Sequence, residues 1–463
     1  MKNMTLENIA AACHGTYYGN EQDKNVEVSG IVIDSRLVEK DTLFVPIRGE
    51  KVDGHKFIPN VFTQGAAAVL SEEVLEEPAG PYILVASCKE AIKELAAYYR
   101  QCLDIKVVGI TGSVGKTSTK EMIASVLGQQ YRVLKTEGNL NNEIGLPLTI
   151  FKIKSEHQVA VLEMGISEFG EMHRLATMAN PDICVITNIG LCHLENLKTR
   201  DGILKAKTES FDHIREGGIA ILNGDDDKLA TIHMVNGTRP VFYGLGKDAT
   251  ENAGTEKSVY ATDVESLGLN GTKAVIHIKD EVFEVVIPIP GDHNVYNALA
   301  AASVANRLGL SIVQIKDGIE SAGTISGRTN MIHAHDMLVI DDCYNANPVS
   351  MKASLDVLSK ASGRKIAVLG DMGELGTDEK ALHYGVGEYL ATKEIDVLFT
   401  AGPLSKEIAK AVTDQNGSCK LHVFDDRETM TKELLGFVQK GDAILIKASH
   451  FMEFPKVVEA VVK

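Results

Sequence analysis

Residues 109–117 read Gly-Ile-Thr-Gly-Ser-Val-Gly-Lys-Thr. They follow the short apolar run 106–110 and precede a stretch in which Ile123, Val126 and Leu127 recur at helical spacing. A buried strand that turns through glycines into a helix makes a phosphate loop. Gly112, Ser113 and Gly115 let backbone N–H groups turn toward phosphate oxygens, and the positive end of the next helix adds to the attraction. Lys116 would reach the β- and γ-phosphates, and the Thr117 hydroxyl would sit on Mg²⁺. The usual pattern has a glycine five residues before the Gly of Gly-Lys. Ile110 stands there, so the loop is a TGxxGKT variant. The competing reading is a tight turn with an incidental lysine; the strand before it and the helix after it weigh against that.

Outward from the loop the same rhythm continues. Short apolar runs at 159–162, 183–188 and 219–223 alternate with helical stretches, including 202–214. Such alternation implies a mostly parallel sheet covered on both faces. Residues 237–290 break the rhythm with short β-type runs and Gly/Asn turns, which predicts an antiparallel extension, and a helix over 295–308 closes the segment. From about 323 the alternation restarts, with strands expected at 337–340, 365–369, 397–400, 421–424 and 443–446. This predicts an independent, Rossmann-like doubly wound domain. Residues 1–103 are a third mixed α/β segment that ends in a helix over 91–100. The expected fold is therefore α/β in three domains, 1–103, 104–322 and 323–463, the central one of P-loop type. A length of 463 residues fits three domains of roughly 100–200 residues each.

Composition narrows the function class. Hydrophobic residues at 44% and charged residues at 24% are ordinary for a globular chain. Forty-seven basic against 63 acidic residues give a formal charge of −16, which argues against a general nucleic-acid binder. A few local cations can still hold a phosphorylated small molecule. Seven scattered cysteines with no CxxC pairing read as free thiols in a reducing compartment. No apolar run is long enough for a membrane span, and the first residues lack an apolar signal core. The expectation is a cytoplasmic protein with no membrane insertion.

Three further residues matter as a group. Glu163 ends the run 159–162, at the crevice where open α/β sheets bind ligands, and could hold Mg²⁺ beside substrate phosphates. His193 follows the 183–188 strand on a loop, and Lys207 lies 14 residues further on in a helix. Taken singly, such a glutamate is as often a surface residue, the histidine more often structural, and the lysine a plain helix lysine.

An ordered set of motifs gives these residues a context. It starts with Asp34-Ser35-Arg36, then runs 43–49 and Asp53-Gly54-His55. After the phosphate loop come Gly138-Asn139-Leu140-Asn141-Asn142-Glu143-Ile144-Gly145-Leu146-Pro147, Glu163-Met164-Gly165, His193 and Ala206-Lys207. It ends with Gly291-Asp292-His293-Asn294-Val295-Tyr296-Asn297, Ser326-Gly327-Arg328, residues 341–348 and residues 369–376. In this order, over nearly the whole chain, the sequence resembles the Mur ligases of peptidoglycan precursor synthesis. The resemblance implies a UDP-substrate domain, an ATP-binding centre and a C-terminal domain that closes over the site. It also implies an activity: ATP converts the terminal carboxylate of UDP-N-acetylmuramoyl-tripeptide to an acyl phosphate, and the amine of D-alanyl-D-alanine attacks it.

By the same resemblance, Lys116 and Thr117 serve the nucleotide phosphates, and Thr117 shares a first Mg²⁺ with Glu163. His193 matches a ligand of a second Mg²⁺, and Lys207 matches a lysine carried as a carbamate. Asn294 and Asn297 match positions near adenine, Asp342 a ribose contact, and Arg328 an arginine that reaches the phosphates on closure. Ser35 and Arg36 match the uridine-nucleotide side, and Asn139 and Asn142 lie on a loop near the reacting groups. The partners implied are these small molecules, and the expected state is a monomer. Cys343 stands where the family pattern has serine, and Lys447-Ala448-Ser449-His450 replaces Lys-Gly-Ser-Arg; the first reads as a tolerated change, and the segment receives no role.

Rival readings remain at this point. The ligase that adds the third amino acid carries a DNPR motif when it is diaminopimelate-specific, whereas residues 399–405 read Phe-Thr-Ala-Gly-Pro-Leu-Ser. Folylpolyglutamate synthetase shares the central chemistry but not the first segment. A non-catalytic nucleotide-binding regulator would have lost Lys116, Thr117, Glu163, His193 or Lys207, and all are present. A plain P-loop ATPase leaves the first 100 residues unexplained.

Overall fold

The computed structural model describes residues 1–247 and 257–463. Three sheets follow one another along the chain. The first holds β1 (Thr16–Tyr18), β2 (Gly30–Val32), β3 (Thr42–Phe44), β4 (Ala68–Ser71) and β5 (Tyr82–Leu84), in the order β1-β5-β4-β3-β2. Only β1 pairs antiparallel.

The central sheet has nine strands. They are β6 (Lys106–Thr111), β7 (Val133–Lys135), β8 (Val159–Glu163), β9 (Ile183–Ile186), β10 (Ile219–Asn223), β11 (Val241–Leu245), β12 (Val259–Ser266), β13 (Thr272–Ile278) and β14 (Glu281–Ile287). Their order is β14-β13-β12-β11-β10-β9-β6-β8-β7. All neighbours run parallel up to β12, and only β12–β14 form the antiparallel extension. That extension was expected over 237–290, yet β11 and the start of β12 still belong to the parallel part; residues 248–256 of the stretch lie outside the described residues. β6 lies between β8 and β9, so the chain direction of the crossovers reverses there. A crevice opens at such a switch point, beyond the C-terminal strand ends. The phosphate loop, Glu163 and the segment after β9 all meet in it.

The third sheet holds β15 (Asn330–Ala334), β16 (Met337–Asp341), β17 (Lys365–Gly370), β18 (Val397–Ala401), β19 (Lys420–Phe424) and β20 (Ala443–Lys447). Its order is β15-β16-β20-β17-β18-β19, parallel except for β15. The buried faces of these strands are almost continuous Val, Ile, Leu and Ala, as helices on both sides of a parallel sheet require.

The first two sheets share one core. Helix Cys88–Gln101 packs its buried face against helices Gly145–Phe151 and Glu171–Ala179, and a single apolar cluster runs through both. Tyr99 donates to the Ile153 carbonyl at 2.6 Å, and the buried Arg100 guanidinium donates to the carbonyls of Ala179 and Asn180 and to Asp182. The third sheet keeps its own clusters, on either face. It meets the centre through polar contacts such as Lys360 with Asp292 at 3.0 Å and through Leu269, which packs against one of those clusters. A shared apolar cluster therefore fuses the first two units, while the third keeps separate cores, the arrangement that permits relative domain motion. Among the described residues no helix is long and apolar enough to cross a membrane.

Helix 202–214 shows the limit of periodicity. It ends at Thr208 and continues as a 3₁₀ turn, Glu209–His213. Glu209 is drawn into tertiary bonds there, accepting from the N–H groups of Gly170 and His173.

Candidate active site

The phosphate loop is clamped from β9. The Asn188 carbonyl accepts from Ser113 N–H at 3.0 Å, while its side chain accepts from Val114 N–H and donates to the Val114 carbonyl, each at 3.0 Å. Thr187 donates to the same carbonyl at 2.6 Å. Gly112 has φ +150°, and a Cβ there would stand 1.9 Å from Thr187 Oγ1, so only glycine fits beside this clamp. With Ser113 and Val114 N–H engaged, the donors left for phosphate are those of the first turn of helix Lys116–Leu127, which have no intrahelical acceptors. Asn188 was not singled out in the sequence; its position at a strand end beside the loop was the available signal.

Lys116 folds back onto its own loop and donates to the Gly112 carbonyl at 2.8 Å. Thr117 donates to Glu163 Oε1 at 3.2 Å, and Asn141 donates to the same oxygen at 2.9 Å. Gly165 makes room for that asparagine: a Cβ on it would lie 2.9 Å from Asn141 Nδ2. Glu163 is 2% exposed, and its Oε2 makes no hydrogen bond. A buried carboxylate beside a hydroxyl and a phosphate loop is what a hard cation with oxygen ligands fits.

A cavity of about 370 Å³ contains this group, bordered by Lys116, Thr117, Glu163, His193, Arg328 and Tyr344. Arg328 comes from the far side, at the start of the third unit. Its guanidinium lies 4.2 Å over the Tyr344 ring and donates toward Thr117 Oγ1 at 3.5 Å. His193 Nδ1 lies 2.6 Å from Glu374 Oε2, a second link across the same interface. The His193 imidazole beside it holds the Glu374 carboxyl below its usual range. His193 and Glu374 both have positive φ, at 51° and 60°. Residues other than glycine adopt that conformation uncommonly, histidine more often than glutamate, and it clusters at functional sites.

Lys207 is 1% exposed, and its side-chain amine makes no hydrogen bond or ion pair among the described residues. Burial lowers its pKa to about 8; the neighbouring Cys192 opposes the fall and the Lys116 charge adds to it. It does not border the 370 Å³ cavity. Among the described residues no three His, Cys, Asp or Glu side chains converge as a metal cluster. Any cation here therefore needs Thr117, phosphate oxygens or a modified lysine as further donors.

A second cavity of about 540 Å³ continues from the phosphate loop, bordered by Asn188, Tyr243, Tyr296, Asn297, Asp342 and Lys447. Asn297 accepts from Thr119 Oγ1 at 2.8 Å and donates to Asn294 Oδ1, while Asn294 donates to the Pro290 carbonyl. Both asparagines thus brace the loop helix. Asp342 is held by Thr329 N–H, Ser354 and Lys447, the last at 2.7 Å. Lys447 is buried, and the sequence reading gave its segment no role; the contact that places it is 105 residues distant in the chain.

The remaining predicted residues are placed differently. Ser35 and Arg36 form a turn on the first unit and border neither cavity, and Arg36 pairs with Asp34 at 2.6 Å. Asn142 borders the 370 Å³ cavity, but its Oδ1 accepts from Ile144 and Gly145 N–H, capping helix Gly145–Phe151. Asn139 lies beside the Tyr344 hydroxyl. Asn141, between them, is the one that reaches Glu163.

Comparison with known proteins gives three family matches in sequence order. Residues 27–105 match "Mur ligase family, catalytic domain", residues 110–305 "Mur ligase middle domain", and residues 327–450 "Mur ligase, glutamate ligase domain". The UDP-N-acetylmuramoyl-tripeptide--D-alanyl-D-alanine ligase of Bacillus subtilis is 36% identical, covering 99% of this chain and 98% of its own. Its Escherichia coli counterpart is 34% identical over 96% and 95%. Among solved structures, MurF from Acinetobacter baumannii superposes with a TM-score of 0.88 at 32% identity, covering 99% and 98%. MurF from Thermotoga maritima, solved in complex with ADP, gives 0.79 at 31% identity over 93% and 96%.

Proposed function

The chain belongs to the Mur ligase family, and from that premise we propose that it is the ATP-dependent ligase joining D-alanyl-D-alanine to UDP-N-acetylmuramoyl-tripeptide. The full-length likeness to ligases named for that reaction supports this over the ligase that adds the third amino acid. Residues 1–103 hold the UDP-linked substrate, with Ser35 and Arg36 on its nucleotide side; residues 104–322 hold ATP, and residues 323–463 close over the reacting groups. The enzyme works as a cytoplasmic monomer on soluble nucleotide-linked precursors.

The chemistry follows from charge. The substrate carboxylate attacks the γ-phosphorus, ADP departs, and an acyl phosphate forms. The amine of D-alanyl-D-alanine then adds to the acyl carbon, a proton leaves the nitrogen, and the tetrahedral adduct expels phosphate. Both steps need positioning and charge neutralisation more than a protein nucleophile. Lys116 leaves its own loop carbonyls for the β- and γ-phosphate oxygens, and Arg328 approaches the same oxygens from the C-terminal side. Asn297, hydrogen-bonded to Asn294 behind it, sets the wall of the adenine pocket, and Asp342, fixed by Lys447, faces the ribose. Asn139 and Asn142 order the loop beside the acyl group.

Thr117 and Glu163 fit Mg²⁺, since the set is all oxygen and includes a buried carboxylate beside the phosphate loop. Mg²⁺ there would neutralise and orient phosphate oxygens. His193 would join a second Mg²⁺ with Lys207, provided the lysine becomes a carbamate. That step balances simply: the neutral amine takes up CO₂ and releases one proton. A buried lysine with a pKa near 8 supplies the neutral amine.

The observation that carries the reading is the meeting of Arg328, from beyond the central sheet, with Thr117 and Glu163 at the phosphate loop. The test is trapping. With ATP, UDP-N-acetylmuramoyl-tripeptide and hydroxylamine in place of D-alanyl-D-alanine, the tripeptide hydroxamate should accumulate. Hydroxamate from the dipeptide precursor alone would contradict the substrate assignment.

A further inference from the structure

Lys120 is a buried charge that nothing above uses. It is 1% exposed, on the second turn of helix Lys116–Leu127, whose other buried residues are Thr119, Met122, Ile123, Val126 and Leu127. A methionine would fill that space, and burying an ammonium costs several kcal/mol unless it is paired. Long helical side chains lean toward the helix N-terminus, so this one runs back under the turn that carries Lys116 and Thr117. Its Nζ lies 3.7 Å from Glu163 Oε2 and 3.3 Å from Glu121 Oε1. Glu121 is in turn paired with Lys135, at the end of β7.

The two oxygens of Glu163 are thus distinguished. Oε1 faces Thr117 and Asn141, and Oε2 faces Lys120. We propose that Lys120 is a positioning residue that holds Glu163 Oε2, so that the carboxylate offers a single oxygen to the metal beside Thr117. Mg²⁺ demands near-ideal octahedral geometry at about 2.0–2.1 Å and tolerates a swinging or chelating carboxylate poorly. The ammonium sits at the oxygen away from Thr117, where it orients the ligand without occupying the metal's place. This rests on the proposed role of Glu163, which the controls test separately.

The experiment measures Mn²⁺ binding by electron paramagnetic resonance, using the full chain with a non-hydrolysable ATP analogue. Half-saturating Mg²⁺ for turnover is read alongside. Residues that orient a metal ligand typically change metal affinity about 10–100-fold when removed. Lys120→Met is expected to weaken Mn²⁺ binding by at least about tenfold and to raise half-saturating Mg²⁺ in parallel. Lys120→Arg, which keeps the charge, should recover most of both. Lys120→Gln gives the same reading if the methionine variant does not fold. A folded neutral variant that binds Mn²⁺ as tightly as the parent overturns the proposal. Glu163→Gln separates the two claims: if it too keeps Mn²⁺ affinity, the metal assignment itself fails; if it loses affinity and Lys120→Met does not, only the role of Lys120 fails.

Discussion

Replacing Lys207 by methionine should make the protein more stable and nearly inactive. The methionine keeps most of the stem and removes an amine that has no polar partner among the described residues. Burial lowers the lysine from 10.5 to about 8. At about 1.4 kcal/mol per pH unit, that gap means roughly 3 kcal/mol against the folded state while both states are protonated. The unfolded lysine keeps its proton up to about pH 10.5, whereas the folded one releases it near pH 8. Between these values the unfolded state binds more protons, so raising the pH stabilises the parent. The penalty is therefore full below pH 8, shrinks from pH 8 to 10.5, and is absent above.

Allowing about 1 kcal/mol for imperfect packing of the new side chain, Lys207→Met should gain roughly 2 kcal/mol at pH 7 and nothing near pH 10.5. For a unit of 150–250 residues, that is about 4–8 °C in Tm. Scanning calorimetry at pH 7 and 10, in CO₂-free buffer, reads it directly. Turnover should fall at least about 100-fold, the upper range for losing a metal-site group, and bicarbonate should not restore it. At fixed CO₂ pressure the parent should become more active as pH rises toward 8, as the neutral amine grows from roughly a tenth at pH 7 to half. A Lys207→Met protein less stable than the parent at pH 7, or one whose stability difference ignores pH, would refute the reasoning.

Gly165→Ala pushes a methyl group against Asn141 and displaces its bond to Glu163; a hydrogen bond to a charged group is worth about 1.5–3 kcal/mol. kcat/KM should fall roughly 10–100-fold with little change in Tm, and unchanged kinetics would remove Asn141 from the account. Glu374→Ala removes the link to His193 across the interface; as a half-exposed pair worth at most about 1 kcal/mol, it should open the nucleotide-free protein measurably but modestly in small-angle scattering. An unchanged radius of gyration would mean the pair does not hold the domains. Cys343→Ser should stay within about twofold in activity, since the serine hydroxyl can donate to Asp341 Oδ1 as the thiol does at 2.9 Å; its loss would be typical only of a hydrogen bond broken, at about 1 kcal/mol.

The sequence made the fold legible wherever burial is local. Strand 106–110 is observed as Lys106–Thr111, and strand 443–446 as Ala443–Lys447, because buried parallel strands are nearly unbroken apolar runs. Sheet order and the fusion of the first two units were not legible. Tyr99 and Arg100 look like ordinary helix residues until their acceptors, 54 to 82 positions away, are known. The site divides the same way. Lys116 and Thr117 are legible from the loop motif alone, while Glu163, His193 and Arg328 gain meaning only from the ordered family motifs; all five border one cavity. Asn141, Lys120, Asn188 and Lys447 act through partners distant in sequence. Asn141 was inside a quoted run, yet its neighbours Asn139 and Asn142 were chosen, since which asparagine faces inward depends on the turn and on the space Gly165 leaves.

The most direct test is phosphate release from ATP and Mg²⁺ with UDP-N-acetylmuramoyl-tripeptide, with and without D-alanyl-D-alanine, beside the dipeptide precursor with single amino acids. The account predicts sustained phosphate release, matched one to one by pentapeptide product, only when tripeptide and D-alanyl-D-alanine are both present. Sustained release with the dipeptide precursor and a single amino acid, or none with either pair, would contradict it.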